Sequence, residues 1–355
     1  MRILHLAAGN RWTGAAAPAF AAVEALRAAG VDAHYVYVGG YKLEQKIGSV
    51  PFAHPLIEKA QNPAAFLRTV RALAALGAFD VVHAHLTWDH WIARFLAHRT
   101  GARMARTFHS RRTLRSDPLT KLLVARTTIF CVVNETLLDA APISGLDAIF
   151  TPPPVDHRQF TPVGGDVRPL YGIDPAAPLV AAIGKLSAGR GFETALRAFA
   201  LIRGGVPGTR MMIIGHGEHR PSLESLAAEL GIADEVVWAG YHEDDLASHY
   251  RAANVLLFTE RGSDEGHRAV VEAMACGTAP VTAPIAGMEA LLRPFHGQLI
   301  APERSPDSIA RTAIAILRAD HRAVGLALAA HSQRFGFAPA AERLLCAYAS
   351  AMARS

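Results

Sequence analysis

The feature that most constrains the fold is an alternation of short apolar runs with longer amphipathic stretches along most of the chain. Each apolar run has the length of a buried strand, and each amphipathic stretch has the spacing of a helix. Such βαβ repetition calls for a parallel sheet with helices on both faces. In the first half the predicted strands are 2–7, 33–38, 81–85, 103–108, 129–133 and 148–151, with a first helix from about 18 to 29.

The pattern breaks at three consecutive prolines, 152–154, and a Pro- and Gly-rich stretch follows to about residue 178. A second alternating series then begins. Its predicted strands are 179–183, 210–214, 236–239, 255–259 and 279–281, and its helices include 191–202, 221–230 and 266–275. We expect an α/β protein of two doubly wound, Rossmann-like domains, 1–165 and 166–335, facing across a cleft where the site would lie. Residues 336–355 are predicted to form an amphipathic helix.

Composition excludes several classes of protein. At 51% hydrophobic residues the chain is too apolar to be disordered, and no apolar stretch approaches the roughly 18 residues of a membrane span. The three cysteines lie far apart and indicate a reducing compartment. The first apolar run is too short for a signal peptide, so we expect a cytoplasmic protein. A net charge of +5 without a nucleic-acid motif does not indicate nucleic-acid binding.

A glycine-rich loop between a strand and a helix carries two cations. Lys185 and Arg190 stand five residues apart, flanked by Gly184 and Gly191. Two fixed cations beside a helix N-terminus suit a diphosphate whose charge builds up as it leaves. The alternative is an ordinary basic loop.

Acidic residues surround the start of the helix at 266–275. Asp264 is placed to cap it, and Glu265 and Glu272, seven residues apart, share one face. Glu272 could hold ribose hydroxyls, and a carboxylate at the helix start could hold sugar hydroxyls. The backbone amides that would face the ligand are those of Gly266, His267 and Arg268. The alternative is a capped surface helix with a Glu–Arg pair.

The first half offers looser signals. The loop ending at Gly14 matches neither a P-loop nor a dinucleotide fingerprint, which disfavours an ATPase or an NAD enzyme. A glycine there still lets a ligand approach the backbone. His109 stands just past the carboxyl end of a strand, where ligands of open α/β sheets bind. The basic segment 111–126 either faces an anionic membrane surface or is simply solvated.

His83 and His85 allow a different interpretation of the function, based on metal binding. Strand alternation puts both on one face, as metal-dependent hydrolases of the His-x-His kind require. Those sites also need ligands at the ends of later strands, and none stands in a recognisable context.

Taken together, these motifs resemble the retaining GT-B glycosyltransferases of the family 4-like group 1. The motifs that carry the resemblance in the second half are Gly184-Lys185…Arg190-Gly191 (with the family's two cations exchanged), Ile214-Gly215-His216-Gly217, Gly240 and Asp264…Glu272-Ala273-Met274-Ala275-Cys276-Gly277. Those in the first half are Gly14, Asp80-Val81-Val82-His83-Ala84-His85, His109 and Val155-Asp156. The first acid of the family's Glu-x7-Glu pair is here Asp264, with Glu265 beside it, so which of the two meets the sugar stays open.

The resemblance implies a hexosyltransferase that moves a sugar from a nucleotide-diphosphate sugar to an acceptor hydroxyl with retention, without a metal or other cofactor. The catalytic residues it implies are His109, Asp264, Glu265, Lys185 and Arg190. The donor-binding residues it implies are Gly14, Gly184, Gly215, Gly217, Gly240, Gly266, His267, Arg268 and Glu272. The final helix would cross back onto the first domain.

The implied acceptor is a glycan or a lipid-linked molecule of cell-surface polysaccharide or glycolipid synthesis, met at the inner membrane surface. Nucleic acid is not an expected partner. Three alternatives remain: a nucleotide-sugar epimerase, the metal-dependent hydrolase built on His83 and His85, and a catalytically inactive GT-B-like partner subunit.

Overall fold

The computed structural model describes residues 1–9, 12, 14–60, 62–260 and 266–353, which form two compact units. The first unit takes in Met1–Pro154 and the carboxyl-terminal residues from Phe335. The second runs from Val155 to Arg334, apart from Gly266. The division at Pro154 and Val155 falls where the three prolines interrupt the alternation; the sequence placed it near residue 165.

Seven described strands of the first unit form one parallel sheet, in the order β3-β2-β1-β4-β5-β6-β7. They are β1 Arg2–Ala7, β2 Asp32–Val38, β3 Ala53–Ile57, β4 Val81–Ala84, β5 Arg103–Phe108, β6 Ile129–Val132 and β7 Ala148–Phe150. The helices that cover this sheet are α1 Ala16–Ala28, α2 Lys42–Ile47, α3 Pro63–Ala75, α4 Thr87–Thr100 and α5 Pro118–Val124, together with the last helix of the chain.

Five described strands of the second unit form another parallel sheet, in the order β10-β9-β8-β11-β12. They are β8 Leu179–Ile183, β9 Arg210–Ile214, β10 Val236–Gly240, β11 Val255–Phe258 and β12 Ala279–Thr282. The accompanying helices are α6 Phe192–Gly205, α7 Arg220–Glu229, α8 Leu246–Ala252, α9 Arg268–Ala275, α10 Met288–Leu292, α11 His296–Leu299, α12 Pro306–Arg318 and α13 His321–Ser332. The α/β class and the two Rossmann-like parallel sheets expected from the sequence are confirmed.

The last helix, α14 (Phe337–Ala353), packs against α1 in the first unit. Its buried residues recur at helical spacing, so they form one apolar face toward the core. They are Ala340, Ala341, Leu344, Tyr348 and Ala351. The chain therefore begins and ends in the same hydrophobic core, which also contains Ile3, Phe20 and Tyr35.

Each sheet has a point where the strand order reverses, and such switch points open a crevice at the carboxyl ends of the strands. In the first sheet it lies between β1 and β4, and in the second between β8 and β11. The sequence-predicted residues His109 and Lys185 follow the carboxyl ends of β5 and β8. In the part of the chain that is described, no helix is both long and apolar enough to span a bilayer.

Candidate functional site

The loops that leave β8, β9 and β10 are joined by backbone hydrogen bonds at the carboxyl edge of the second sheet. The amide of Gly184 donates to the carbonyl of Ile214 over 3.0 Å. The amide of Gly215 donates to the carbonyl of Gly240 over 2.6 Å. Two residues further along each loop, the amide of Leu186 donates to the carbonyl of His216 over 3.0 Å. Three of the predicted donor-binding glycines therefore meet in one network.

Gly215 and Gly217 are glycines because the neighbouring backbone leaves no room for a side chain. A Cβ on Gly215 would lie 1.9 Å from the carbonyl oxygen of Gly184, and one on Gly217 would lie 2.0 Å from that of Leu186. The loop after β9 thus crosses directly over the loop after β8. This packing fixes the loop that carries Lys185.

The second cation of that loop, Arg190, lies beside the switch point. Gly191, the next residue, is the N-cap of α6, and its carbonyl accepts a hydrogen bond of 2.7 Å from the hydroxyl of Thr259 just after β11. A Cβ on Gly191 would fall 2.3 Å from that hydroxyl oxygen. The loops that leave the two strands on either side of the switch point are therefore in direct contact.

Lys185 is the more exposed of the two predicted cations. Its side chain is 60% exposed, and its Nζ lies 3.5 Å from Oε2 of Glu218. A surface ion pair of this kind contributes little to stability, so Lys185 can exchange Glu218 for an anionic ligand at small cost.

Glu272 is buried on α9 and held from two sides. Its Oε2 accepts a hydrogen bond of 3.1 Å from the hydroxyl of Tyr250 on α8, and its Oε1 lies 3.4 Å from Nε of Arg268. Burial and the Glu272 carboxylate raise the pKa of Tyr250 well above its usual value, so this phenol stays protonated and donates. The predicted Glu–Arg pair is present, but it is not a surface pair: Glu272 is 5% exposed.

The start of α9 has an unusual backbone. His267 occupies the N-cap position with φ of 53°, in the left-handed region that non-glycine residues seldom adopt. Its Nε2 donates to the carbonyl of Ala286 over 2.9 Å, and its ring packs on Phe258. The N-cap position of α9 is thus His267. Strain of this kind clusters at functional sites.

Asp264 and Glu265 lie outside the described residues. Gly266 is buried just ahead of α9. Gly14, before α1, has a left-handed φ of 60°, with open space where a Cβ would be.

In the first unit, His109 is buried after β5 and lies within a cluster of histidines. Its Nε2 is 3.0 Å from Nδ1 of His85, and the Nε2 of His85 is 2.9 Å from Nδ1 of His5. Burial lowers the pKa of His5 and of His109 to about 3, so both rings are neutral at pH 7. The sequence predicted His83 and His85 on one face, and their rings do stack 4.7 Å apart; the partner His5, on β1, was not predicted.

The geometry of this cluster does not suit the hydrolase alternative. His5, His83 and His85 lie close enough together to be considered as metal ligands. Both ring nitrogens of His83 already meet protein groups, Tyr348 at 2.6 Å and Thr107 at 2.7 Å. A metal ion would have to break several such contacts in a fully buried site.

A buried carboxylate organises the neighbouring strand ends. Asp89, on α4, accepts hydrogen bonds from the amides of Ala8 (2.7 Å) and Leu86 (2.8 Å), which follow β1 and β4. Burial raises its pKa to about 6, although the Arg106 guanidinium opposes that rise.

Ala8 and Leu86 also line an open pocket of about 390 Å³ together with Thr87, Trp88 and Trp91. The sequence analysis did not predict this pocket; the available signal was the Trp-x-x-Trp spacing in the segment that forms the start of α4.

A second histidine cluster lies in the second unit, after β10. His242 Nδ1 is 2.9 Å from Oδ1 of Asp245, and the hydroxyl of Tyr171 is 3.1 Å from Nε2 of both His242 and His249. This network ties the loop after β10 to α8. The sequence did not single out these residues.

Comparison with protein families matches both halves of the chain. Residues 167–330 match the family described as Glycosyl transferases group 1, and residues 12–140 match Glycosyltransferase Family 4. A D-inositol 3-phosphate glycosyltransferase of Segniliparus rotundus is 29% identical over 305 residues, covering 77% of this chain and 66% of that protein. A protein of the same name from Mycolicibacterium gilvum is 34% identical over 210 residues, covering 57% of this chain and 46% of that protein. The chain thus spans about half to two thirds of these relatives.

Solved structures share the fold at low identity. Anabaena Alr3699/HepE in complex with UDP and glucose has a TM-score of 0.80 at 16% identity, over 99% of this chain and 100% of that one. A glycosyltransferase from Rickettsia africae has a TM-score of 0.81 at 15% identity, over 100% and 99%. A putative UDP-N-acetylglucosamine 2-epimerase from Listeria monocytogenes reaches 0.68 at 14% identity, over 100% and 97%. The fold is therefore shared by proteins named for different chemistries.

Proposed function

Because the chain belongs to the group 1 glycosyltransferases, we propose that it transfers a sugar from a nucleotide-diphosphate sugar to an acceptor hydroxyl and retains the anomeric configuration. The observation that carries this proposal is the contact at the switch point of the second sheet. There the Thr259 hydroxyl holds the loop of Arg190 and Gly191 against the end of β11 over 2.7 Å. Open α/β sheets bind nucleotides at such a point.

The leaving diphosphate would be stabilised by fixed positive charge. Lys185 and Arg190 supply two cations from one loop, and the N-terminus of α9 at Arg268 adds the positive end of that helix's dipole. Charges held in place before the reaction stabilise a developing anion without reorganisation. On this proposal the residues take over the role that a divalent cation plays in other transferases.

The donor's ribose and sugar would be held by carboxylates and by His109. Glu272 is proposed to accept from the ribose hydroxyls, because Tyr250 and Arg268 already fix the position of its carboxylate. Asp264 or Glu265 would meet the sugar, with His109 orienting it. The leaving phosphate would assist deprotonation of the acceptor on the same face of the sugar, without a covalent sugar–enzyme intermediate.

The names of similar proteins supply the first substrates to assay. A structural neighbour was crystallised with UDP and glucose, which supports a UDP-hexose as donor. The relatives are named for transfer to D-inositol 3-phosphate, and a glycan or lipid-linked acceptor of cell-surface synthesis is the broader proposal. The pocket with Trp88 and Trp91 is where we place the acceptor, since indole faces bind the apolar faces of sugar rings.

The basic segment of the first unit is proposed to bring the enzyme to an anionic membrane. Leu119 and Leu122 on α5 are 61% and 48% exposed, and they stand three residues apart on one face of the helix. Lys121 and Arg115 lie beside them in the chain. Exposed leucines with neighbouring cations are what interfacial binding to anionic lipid requires.

The test is an assay with UDP-, GDP- and ADP-hexoses, with inositol 3-phosphate, oligosaccharides or membrane lipid as acceptors. Release of nucleoside diphosphate that depends on the acceptor, with a glycosylated product in the mass spectrum, supports the proposal. Epimerised donor formed without acceptor supports the epimerase instead. No turnover by a chain that binds nucleotide would indicate the inactive partner subunit.

A further inference from the structure

Buried side chains link His109 to the last helix of the chain. His109 contacts His85, which contacts His5, and Nε2 of His5 lies 3.3 Å from the hydroxyl of Tyr348 on α14. The same hydroxyl lies 2.6 Å from Nδ1 of His83, whose Nε2 is 2.7 Å from Oγ1 of Thr107. All of these groups belong to the first unit. We call the continuous series the relay, and its members in order are His109, His85, His5, Tyr348, His83 and Thr107.

If each hydrogen bond of the series carries one proton, the protons can be arranged in only two ways. Burial lowers the pKa of all four histidines far below 7, so each ring is neutral and carries a single N–H. If His109 carries its proton on Nε2, every member donates to the next and the series ends with His83 donating to Thr107. If His109 carries it on Nδ1, every bond runs the other way. Changing the tautomer of His109 therefore reverses the whole relay.

The two arrangements differ at one atom. Nδ1 of His109 is buried and has no hydrogen-bond partner among the described residues. When the proton is on Nε2 of His109, Nδ1 is an acceptor that lacks a donor. Every buried N–H in the relay then has an acceptor. In the reversed arrangement Nδ1 is a buried N–H without an acceptor, which proteins strongly avoid. At the far end the Thr107 hydroxyl is satisfied in the first arrangement, because it can donate to Cys131.

We propose that His5, His83, His85, Thr107 and Tyr348 are positioning residues that hold His109 as its Nε2–H tautomer. The lone pair of Nδ1 is then what His109 presents to a ligand hydroxyl. The use made of that lone pair rests on the proposed sugar transfer, whereas the tautomer itself does not. Tyr348 thereby links α14 to His109 through His5 and His85.

Tyr348→Phe tests the proposal because it cuts the relay in the middle with little change in shape. In the variant, either His5 Nε2–H or His109 Nδ1–H must lack an acceptor, so the two tautomers become similar in energy. The readout is the pair of ring ¹⁵N chemical shifts of His109, with the signal assigned by His109→Gln. We expect the Nε2–H form to predominate about tenfold or more in the native chain and a mixture near one to one in the variant.

Tyr35→Phe is the matched control. Tyr35 is equally buried in the same unit, and its hydroxyl donates to the carbonyl of Ala16 over 3.1 Å, away from the relay. It should leave the His109 shifts unchanged. Should Tyr348→Phe fail to fold, Thr107→Val removes the last acceptor and should give the same mixture. An unchanged His109 tautomer in a folded variant, or a mixture in the native chain, overturns the proposal.

A kinetic measurement connects the relay to activity. If about half of the Tyr348→Phe molecules carry the wrong tautomer, kcat should fall about twofold with KM unchanged, and Tyr35→Phe should keep full kcat. An unchanged kcat in a variant with mixed tautomers contradicts the role given to Nδ1. Absence of sugar transfer by the native chain counts against the proposed function alone, because the ¹⁵N shifts need no substrate.

Discussion

The hydroxyl of Tyr250 donates a hydrogen bond to Oε2 of Glu272 over 3.1 Å, and both side chains are buried. The bond joins α8, which follows β10, to α9, which follows β11, and these two helices pack against each other. A buried carboxylate needs such donors, because burial without them costs several kcal/mol. Tyr250 therefore helps to fix the position of the carboxylate that we assign to the ribose.

Tyr250→Phe should weaken nucleotide binding. The variant leaves Glu272 with one fewer buried donor, so its carboxylate is less well placed, and a lost bond to a charged group is worth about 1.5–3 kcal/mol. We expect the Kd for the preferred nucleoside diphosphate, measured by calorimetry, to rise about tenfold. Tyr171→Phe, a change of the same kind beside His249, serves as control. Equal affinity in Tyr250→Phe and the native chain would remove Glu272 from the donor site.

Gly217→Ala should destabilise the second unit. Its Cβ would lie 2.0 Å from the carbonyl oxygen of Leu186, so the loops after β8 and β9 must move apart. We expect a loss of about 2–4 kcal/mol in denaturant unfolding. Gly204→Ala in α6 is the control, since its Cβ meets open space, and it should stabilise by about 0.5–1 kcal/mol. If both variants unfold alike, the two loops do not cross as described.

The buried histidines should make the protein sensitive to acid. Burial, and then the nearby Arg106 charge, lower the pKa of His90 to about 3. The unfolded chain therefore binds this proton from about pH 6.5 downward and the folded chain does not, so stability falls as the pH drops toward 3. Asp89 acts in the opposite sense, because its raised pKa of about 6 lets the folded state bind a proton first.

His90→Gln isolates one of these protons. The variant should reduce the slope of unfolding free energy against pH between 6 and 4 by about 1.4 kcal/mol per pH unit. His98→Gln, on the exposed side of the same helix, removes a histidine that is not buried. A slope that is identical in native and His90→Gln proteins would mean that His90 is protonated in the folded state.

The double variant Leu119→Ser, Leu122→Ser should bind anionic vesicles less than the native protein does. The proposed contact depends on the apolar area of both side chains, at about 25 cal/mol per Å² removed from water. Co-sedimentation with phosphatidylglycerol vesicles should fall several-fold, whereas vesicles of phosphatidylcholine should bind neither form. Leu170→Ser, an exposed leucine of the second unit (79%), is the control. Undiminished sedimentation of the double variant would rule out α5 as the membrane contact.

Much of the fold follows from the sequence because buried parallel strands are nearly continuous apolar runs. Strands β1, β5, β8 and β9 have the predicted bounds. Strand β3 (Ala53–Ile57) was missed because it has His54 and Pro55 in its centre and lies at the sheet edge, where such residues are tolerated.

Residues of the candidate site could be predicted only where they lie close together in sequence. The glycine-rich loop of Lys185 and the Glu272 helix could be found by spacing. Tyr250, 22 residues before Glu272, and Tyr348, 343 residues after His5, become neighbours only through helix packing. No local sequence pattern distinguishes these two tyrosines from tyrosines that only fill a hydrophobic core.

The central claim is that the second unit binds a nucleotide-diphosphate sugar without a metal ion, and thermal unfolding with nucleotides tests it most directly. UDP, GDP, ADP, CMP and their sugar conjugates would be compared with and without EDTA. One nucleoside diphosphate at 100 times its Kd should stabilise the native chain by about 2.7 kcal/mol, equally in EDTA. Lys185→Ala should lose most of that shift, and Lys42→Ala, an exposed lysine of the first unit, should keep it. No stabilisation by any nucleotide, or stabilisation abolished by EDTA, would contradict the account.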